Sequence, residues 1–209
     1  MTRQGGAGRR VRERHDHDGD PLAHHDRFEG EFDTVLAAAR TGSASAYTRI
    51  FHALAPVVQG YLRLQGASEP EDLTSEVFLA VFRNLGSFDG DEAGFRSWMF
   101  TIAHRRLVDE RRRALRRPAP APLAEAPETP APDDVERSVV DALTTEQIRA
   151  LCERLSPDQR DVLLMRLLGR LTIDEVATVM GRTPGSVKAL QRRGLLAVSR
   201  LIDREGVPL

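Results

Sequence analysis

The stretch TIDEVATVMGRTPGSVKALQRRGLLAVSRL, residues 172–201, decides the fold of this 209-residue chain. Thr172 and Glu175 occupy the two positions of a capping box, which predicts a short helix beginning there. Gly181 suits a turn residue with positive φ. Thr183, followed by proline, then starts a second and longer helix. A short helix, a tight glycine turn and a longer basic helix together predict a helix-turn-helix.

The longer helix of this motif is the candidate DNA-reading element. A helix-turn-helix places its second helix in the major groove, where base edges carry a readable pattern of donors and acceptors. Val187 is expected to point inward, and Ala177 to let the two helices cross closely. An ordinary amphipathic hairpin with a solvated basic face is the alternative interpretation. The candidates for contacts with bases or phosphates are Thr183, Ser186, Lys188, Ala189, Arg192 and Arg193.

The residues before this motif also predict helices. Ser156 and the proline after it mark a helix start, and Gly169 marks its end. Apolar residues recur at helical spacing through residues 28–117, and no run there alternates with the period of two typical of a strand. Pro56 lies inside one of these stretches and predicts a kink or a break. The predicted fold class is therefore all-α.

Composition divides the chain into four segments. Residues 1–27 have almost no apolar content, so they are expected to be a disordered tail that cannot offset the entropy of ordering. Residues 118–134 hold six of the twelve prolines and four acids without a base. This composition indicates an acidic, proline-rich, flexible linker. The linker separates two small helical domains, residues 28–117 and residues 135–209, of which the second carries the helix-turn-helix.

The charge of the chain is unevenly distributed. The formal net charge is -1, yet residues 105–117 hold seven arginines against two acids, and residues 181–200 hold five bases and no acid. Basic patches favour a polyanionic partner, although solvated helix faces have the same composition. The single cysteine, Cys152, allows no disulfide framework or cysteine-based zinc site, and neither metal nor cofactor is expected. No stretch is apolar enough for a membrane span or a signal peptide, so a cytoplasmic protein is expected.

Enzyme activity is not expected. His104 lies near Asp109 and Glu110, and a nuclease or hydrolase could use such groups. The sequence has no glycine-rich phosphate loop, nucleophile elbow or HExxH zinc motif, so no catalytic residue is predicted. His104 is interpreted as a surface or DNA-facing side chain. Trp98, flanked by apolar residues, is interpreted as part of the core rather than as a platform for DNA stacking.

Four stretches resemble extracytoplasmic-function sigma factors, the small two-domain subunits that direct bacterial RNA polymerase to promoters. The opening stretch resembles their promoter-reading domain 4, and LSPDQRDVLLMRLLGRLT resembles the helix that precedes it. EDLTSEVFLAVFRNLGSFDG resembles the family's polymerase-binding helix. FRSWMFTIAHRRLVDERRRALRR resembles the helix that opens the minus-ten element. The stretches follow the family's order, on both sides of the linker.

The resemblance implies core RNA polymerase and promoter DNA as partners. Polymerase is expected to contact Asp72, Ser75 and Glu76, although the family often has glutamine in the position of Ser75. The family often has asparagine where this chain has Arg105, which keeps the attraction to phosphates but leaves the choice of base there open. The minus-ten element is expected to meet a basic face composed of Arg105, Arg106, Arg111, Arg112 and Arg113.

Two further expectations concern regulation and the competing function. Members of the family are typically held by an anti-sigma protein, so an anti-sigma factor is an implied partner, whereas membrane insertion is not implied. A helix-turn-helix regulator that is not a polymerase subunit explains residues 156–202 equally well. It does not explain the acidic helix at residues 71–85, followed by the arginine-rich helix.

Overall fold

The computed structural model describes Phe28, residues 30–116 and residues 145–205. Within these residues the regular structure consists of α-helices and one short 3-10 turn, Leu85–Ser87, so the all-α prediction is confirmed. The expectations for residues 1–27 and for the linker at 118–134 lie outside the described residues. The helices are α1 (Phe32–Arg40), α2 (Ala44–Leu64), α3 (Pro70–Arg83), α4 (Glu92–Arg116), α5 (Thr145–Glu153), α6 (Pro157–Leu167), α7 (Ile173–Met180) and α8 (Pro184–Glu205).

Helices α1–α4 form the N-terminal unit. α1 packs on α2, α2 on α3 and α3 on α4, so the chain folds back on itself at each connection. Ile50, Val77 and Met99 are fully buried where these helices meet. Burial of one such side chain stabilises the fold by roughly 1.5–3 kcal/mol. The packing fixes α3 and α4 side by side, which brings the acidic and the arginine-rich candidate residues next to each other.

Helix α2 does not break at Pro56, which corrects the expectation of a possible break. The helix continues from Ala44 to Leu64 with this proline inside it and exposed. An interior proline costs about 3 kcal/mol because it removes a backbone donor and its ring crowds the preceding turn. Leu54, Val58 and Leu62 on the same helix are buried. Their burial, at roughly 1.5–3 kcal/mol each, outweighs that cost.

Helices α5–α8 form the C-terminal unit, and its local signals are confirmed. Thr172 accepts a hydrogen bond from the Glu175 amide at 3.3 Å, and the Glu175 carboxylate accepts one from the Thr172 amide at 2.6 Å. Gly181 follows α7 with φ +63°, in the left-handed region. Ser156 caps α6 through a second capping box, with Gln159. The sequence analysis did not identify α5 as a separate helix.

The two units pack against each other. α4 contacts α7, and the buried apolar side chains of both units form one continuous cluster. None of the described helices combines the length and the apolar content that a membrane span requires.

Candidate nucleic-acid interface

The first turns of α8 present the predicted recognition face. The Thr183 hydroxyl accepts a hydrogen bond from the Ser186 amide at 3.3 Å, which caps the helix as expected. Val187 is fully buried and anchors the helix on its inner side. Ser186 is half-buried, whereas the following outward residues are exposed: Lys188, Ala189, Arg192 and Arg193. Lys188 and Arg192 lie four residues apart, hence on one face. The predicted orientation is confirmed, and contact with DNA stays a prediction.

The turn between α7 and α8 is held by the packing of these two helices and by a contact with α6. Ala177 is buried, as expected for a small residue where α7 and α8 approach each other. Arg182 in the turn forms an ion pair with Asp158 of α6 at 2.5 Å. Both partners are partly exposed, and ion pairs at the surface usually contribute about 0–1 kcal/mol. The fixed turn orients the exposed face of α8 relative to α6.

Most of the arginines predicted on α4 lie on its outer face. Arg105, Arg112 and Arg113 are exposed, and Arg112 lies 3.8 Å from Asp109 of the same helix. Arg111 differs from them. It is half-buried and turned toward α2, where its guanidinium donates to the backbone and side-chain oxygens of Gln65 at 2.8 and 2.9 Å.

Trp98 lies near the start of α4 and is half-buried. Its ring stacks on Phe88 at a centroid distance of 5.2 Å and an interplanar angle of 23°, and it meets Phe95 edge-on. It therefore packs against the buried cluster, as the sequence interpretation expected. These contacts anchor the helix that carries the arginines.

The predicted polymerase-binding residues share the outer face of α3. Asp72, Ser75 and Glu76 are exposed, opposite the buried side of the helix. Glu76 lies 3.4 Å from Arg106 of α4, so one ion pair joins the acidic face to the basic one. Beside them a groove between α2 and α3 has a volume of about 280 Å³ and is lined in part by Ser75 and Glu71.

Glu71 extends the acidic face, although the sequence analysis did not select it. Arg63 donates a hydrogen bond to its carboxylate at 2.6 Å, and Gln59 donates another at 2.7 Å. The bond from Arg63 is the main cause that lowers the pKa of Glu71, followed by a backbone hydrogen bond and the bond from Gln59. Glu71 is therefore negatively charged at neutral pH.

A buried polar cluster lies where the two units meet, and the sequence analysis missed it. Asp161 of α6 is 3% exposed and accepts hydrogen bonds from the Tyr61 hydroxyl at 2.9 Å and from the Gln65 amide. His104 is not the surface residue that was expected: its side chain is 14% exposed and its Nδ1 lies 3.5 Å from the same carboxylate. Burial, and then Asp161, raise the pKa of Tyr61 well above its usual value, so its hydroxyl stays a donor.

Comparison with known proteins agrees with this arrangement. The family model for sigma-70 region 2 matches residues 50–117, and the model for sigma-70 region 4 matches residues 145–198. The ECF RNA polymerase sigma factor BldN of Streptomyces coelicolor is 32% identical over 174 residues, which cover 80% of this chain and 64% of BldN. The chain thus spans less than two thirds of that relative.

Two further proteins are similar over most of their length. The ECF RNA polymerase sigma factor RpoE of Cereibacter sphaeroides is 31% identical over 159 residues, which cover 75% of this chain and 84% of RpoE. The solved structure of CnrH in complex with the cytosolic domain of CnrY has the same fold, with a TM-score of 0.59 and 18% identity, covering 83% of this chain and 97% of CnrH. With both regions matched in order, the chain belongs to the extracytoplasmic-function RNA polymerase sigma factors, which direct core polymerase to promoters.

Proposed function

We propose that three helices of this sigma factor have separate roles. Helix α3 docks on core polymerase, α4 contacts the minus-ten element and α8 reads the minus-thirty-five element. The observation that carries the proposal is the joint presence of an exposed acidic face on α3, an arginine-rich face on α4 and an outward basic face on α8. A helix-turn-helix regulator without a polymerase contact accounts only for the last of these. No catalytic residue is assigned, and the protein acts where polymerase is, in the cytoplasm.

Docking on polymerase is assigned to Asp72, Ser75 and Glu76. The two carboxylates lie four residues apart on one exposed face, so a single basic surface can meet both. The groove beside Ser75 offers apolar contact next to this charge, since Phe51 and Pro56 also line it. Complementary charge of this kind steers encounter and fixes orientation, while apolar contact supplies affinity.

The minus-ten contact is assigned to the arginines of α4. Arg105, Arg106, Arg112 and Arg113 form a basic surface that can neutralise phosphates, which supplies the salt-dependent part of DNA binding. Strand opening also requires that an unpaired strand be held, and single-stranded DNA is held in basic grooves. Arg111 is assigned to the same surface, although in this structure its guanidinium donates hydrogen bonds to Gln65.

An anti-sigma protein is proposed as a further partner. The fold is shared with CnrH, which was solved with the cytosolic domain of CnrY. In this chain Leu79 of α3 is exposed, and so are Leu195 and Leu196 of α8. Exposed apolar side chains beside functional charges suit a protein partner that covers both helices. Such a partner would block polymerase docking and promoter reading together.

Reversing the acidic face of α3 tests the docking assignment. We expect Asp72→Arg combined with Glu76→Arg to weaken the association with core polymerase about tenfold or more, because like charges across an interface repel. The measurement is the dissociation constant of a fluorescently labelled chain from purified core polymerase. The matched control carries Asp33→Arg and Asp89→Arg, which make the same charge change at exposed positions on α1 and in the loop before α4.

The control is expected to bind core polymerase as the wild type does. Circular dichroism should be the same for all three proteins, since the altered side chains are exposed. If the α3 variant and the control bound equally well, α3 would not be the docking helix.

A further inference from the structure

The turn between α6 and α7 holds an arginine in an unfavourable backbone conformation. Arg170 has φ +54°, and it is the one residue other than glycine with a positive φ among the described residues. A Cβ atom disfavours this left-handed region, which glycine adopts freely. The fold alone therefore favours glycine at position 170, so the presence of arginine indicates a role for its side chain.

Contacts of the neighbouring residues fix this conformation. The Leu171 amide donates a hydrogen bond to the Met165 carbonyl at 3.1 Å, and the Arg166 guanidinium donates to the Leu171 carbonyl. Gly169 is closely packed, because a Cβ added there would lie 2.7 Å from the same Met165 carbonyl. The turn cannot relax around Arg170 without loss of these contacts, so the positive φ belongs to the folded state.

The side chain of Arg170 has no partner within the described part of the chain. It is half-buried, and it makes no hydrogen bond or ion pair with the residues described there. Asp174 and Glu175 lie in the first turn of α7, yet neither carboxylate pairs with this arginine. The Glu175 carboxylate instead accepts hydrogen bonds from the Thr172 amide and hydroxyl, at 2.6 and 2.9 Å. The guanidinium can therefore donate to an acceptor on another molecule.

Position 170 lies where a helix-turn-helix approaches the DNA backbone. In this motif the second helix enters the major groove, while the first helix crosses the backbone beside it. Helix α7 has eight residues, so at about 1.5 Å per residue it is about 12 Å long, close to the groove width of about 12 Å. With the first turns of α8 in the groove, the start of α7 reaches the phosphates at the groove edge. Arg170 lies two residues before Thr172, the N-cap of that helix.

A guanidinium suits a phosphate at this place for two reasons. Its planar set of donors matches phosphate oxygens and forms strong, charge-assisted hydrogen bonds. Its positive charge also offsets the repulsion between a phosphate and the nearby carboxylates of Asp174 and Glu175. Glycine at position 170 would supply neither effect.

We propose that Arg170 binds a backbone phosphate of the minus-thirty-five element and thereby helps to place α8 in the major groove. The proposal rests on the proposed function, in which α8 reads that element. A phosphate contact carries no sequence information, but it sets the position and orientation of the protein on the duplex. The arginine thus lowers the stability of the fold and raises the affinity for DNA.

Three replacements separate the charge of Arg170 from its backbone conformation. Arg170→Gly removes both the charge and the Cβ atom, Arg170→Ala removes the charge alone, and Arg170→Lys keeps the charge. Each full-length variant is combined with core polymerase, and its affinity for promoter DNA is measured at about 50 and about 200 mM salt.

The glycine and alanine variants should bind promoter DNA more weakly and with a smaller salt dependence than the wild type. The ratio of wild-type to variant affinity should shrink about threefold between the two salt concentrations, as expected for the loss of one phosphate contact. The lysine variant should keep the wild-type salt dependence. Sequence preference within the minus-thirty-five element should be the same in all four proteins, because no base contact is altered.

Thermal unfolding is the second readout, and it should change in the opposite direction. Arg170→Gly should raise the midpoint temperature by about 2–4 °C, because glycine removes the cost of the left-handed backbone, whereas Arg170→Ala should not raise it. Weaker DNA binding by a more stable variant cannot be caused by unfolding. The matched control, Arg149→Ala, removes the same charge from an exposed position on α5 and should keep the wild-type salt dependence.

Equal salt dependence of Arg170→Gly and the wild type would overturn the proposal. A loss of affinity of Arg170→Gly for core polymerase in the absence of DNA would also overturn it, because Arg170 would then contact the polymerase. A wild-type complex that does not bind the minus-thirty-five element specifically contradicts the proposed function, and this proposal with it. Specific binding by the wild type that none of the three variants alters contradicts the role of Arg170 alone.

Discussion

Single replacements of Lys188, Arg192 and Arg193 by alanine should separate base reading from phosphate binding on α8. Loss of a good bidentate base contact costs about 1–3 kcal/mol and relaxes specificity at one position. Loss of a phosphate contact weakens binding to all sequences and reduces the salt slope by about one. We expect at least one of the three variants to change sequence preference. Each variant is combined with core polymerase, and its binding to a DNA library randomised at the minus-thirty-five element is measured at two salt concentrations.

Arg200→Ala is the matched control for this series. Arg200 is exposed on the same helix but lies about two turns beyond Arg192. It lines a surface pocket together with Arg154, the residue just after α5. Its replacement removes the same charge and should keep wild-type sequence preference. If the three recognition variants also kept that preference, α8 would not be the helix that reads bases.

Val187→Asp should unfold the helix-turn-helix. Val187 is fully buried in the apolar cluster beneath the recognition face, so a carboxylate there would be removed from water. Burial of such a charge costs several kcal/mol, which is a large part of the about 5–15 kcal/mol that stabilises a typical domain. Thermal unfolding, followed by circular dichroism, should have a lower midpoint temperature than in the wild type. Binding to the minus-thirty-five element should be lost.

The control for this prediction is Ser199→Asp. Ser199 is exposed on the same helix, where the same carboxylate remains in water. Surface substitutions of this kind usually change stability by no more than about 0.5 kcal/mol. An unfolding midpoint for Val187→Asp equal to that of the control would mean that Val187 does not anchor α8.

Local signals explain why the C-terminal unit could be predicted from sequence. Thr172, Glu175 and Gly181 act through hydrogen bonds and backbone angles within a few residues, so their pattern can be read without a structure. The orientation of α8 could also be predicted from its pattern of residues. If the basic residues of this helix face outward, Val187 must face inward. The face of α3 that carries Asp72 and Glu76 was equally predictable, because the opposite side of the helix is apolar.

The contacts between the units could not be predicted in this way. Asp161 is one carboxylate beside an apolar run, and its partners lie about 60 and 100 residues earlier in the chain. His104 was misinterpreted for the same reason, since the group that it faces belongs to the other unit. Pro56 shows the converse effect. A proline inside a helix is expected to kink or break it, but the burial of neighbouring side chains keeps α2 continuous. Long-range packing decided all three outcomes.

The claim that this chain is a polymerase subunit is tested most directly by footprinting on promoter DNA with the chain alone, with core polymerase alone and with both. We expect specific protection of the minus-thirty-five and minus-ten elements, and opening of the strands around the start site, only when both proteins are present. Specific protection by the chain alone, equal in extent and affinity with and without core polymerase, would contradict the account. It would indicate a helix-turn-helix regulator that acts independently of the polymerase.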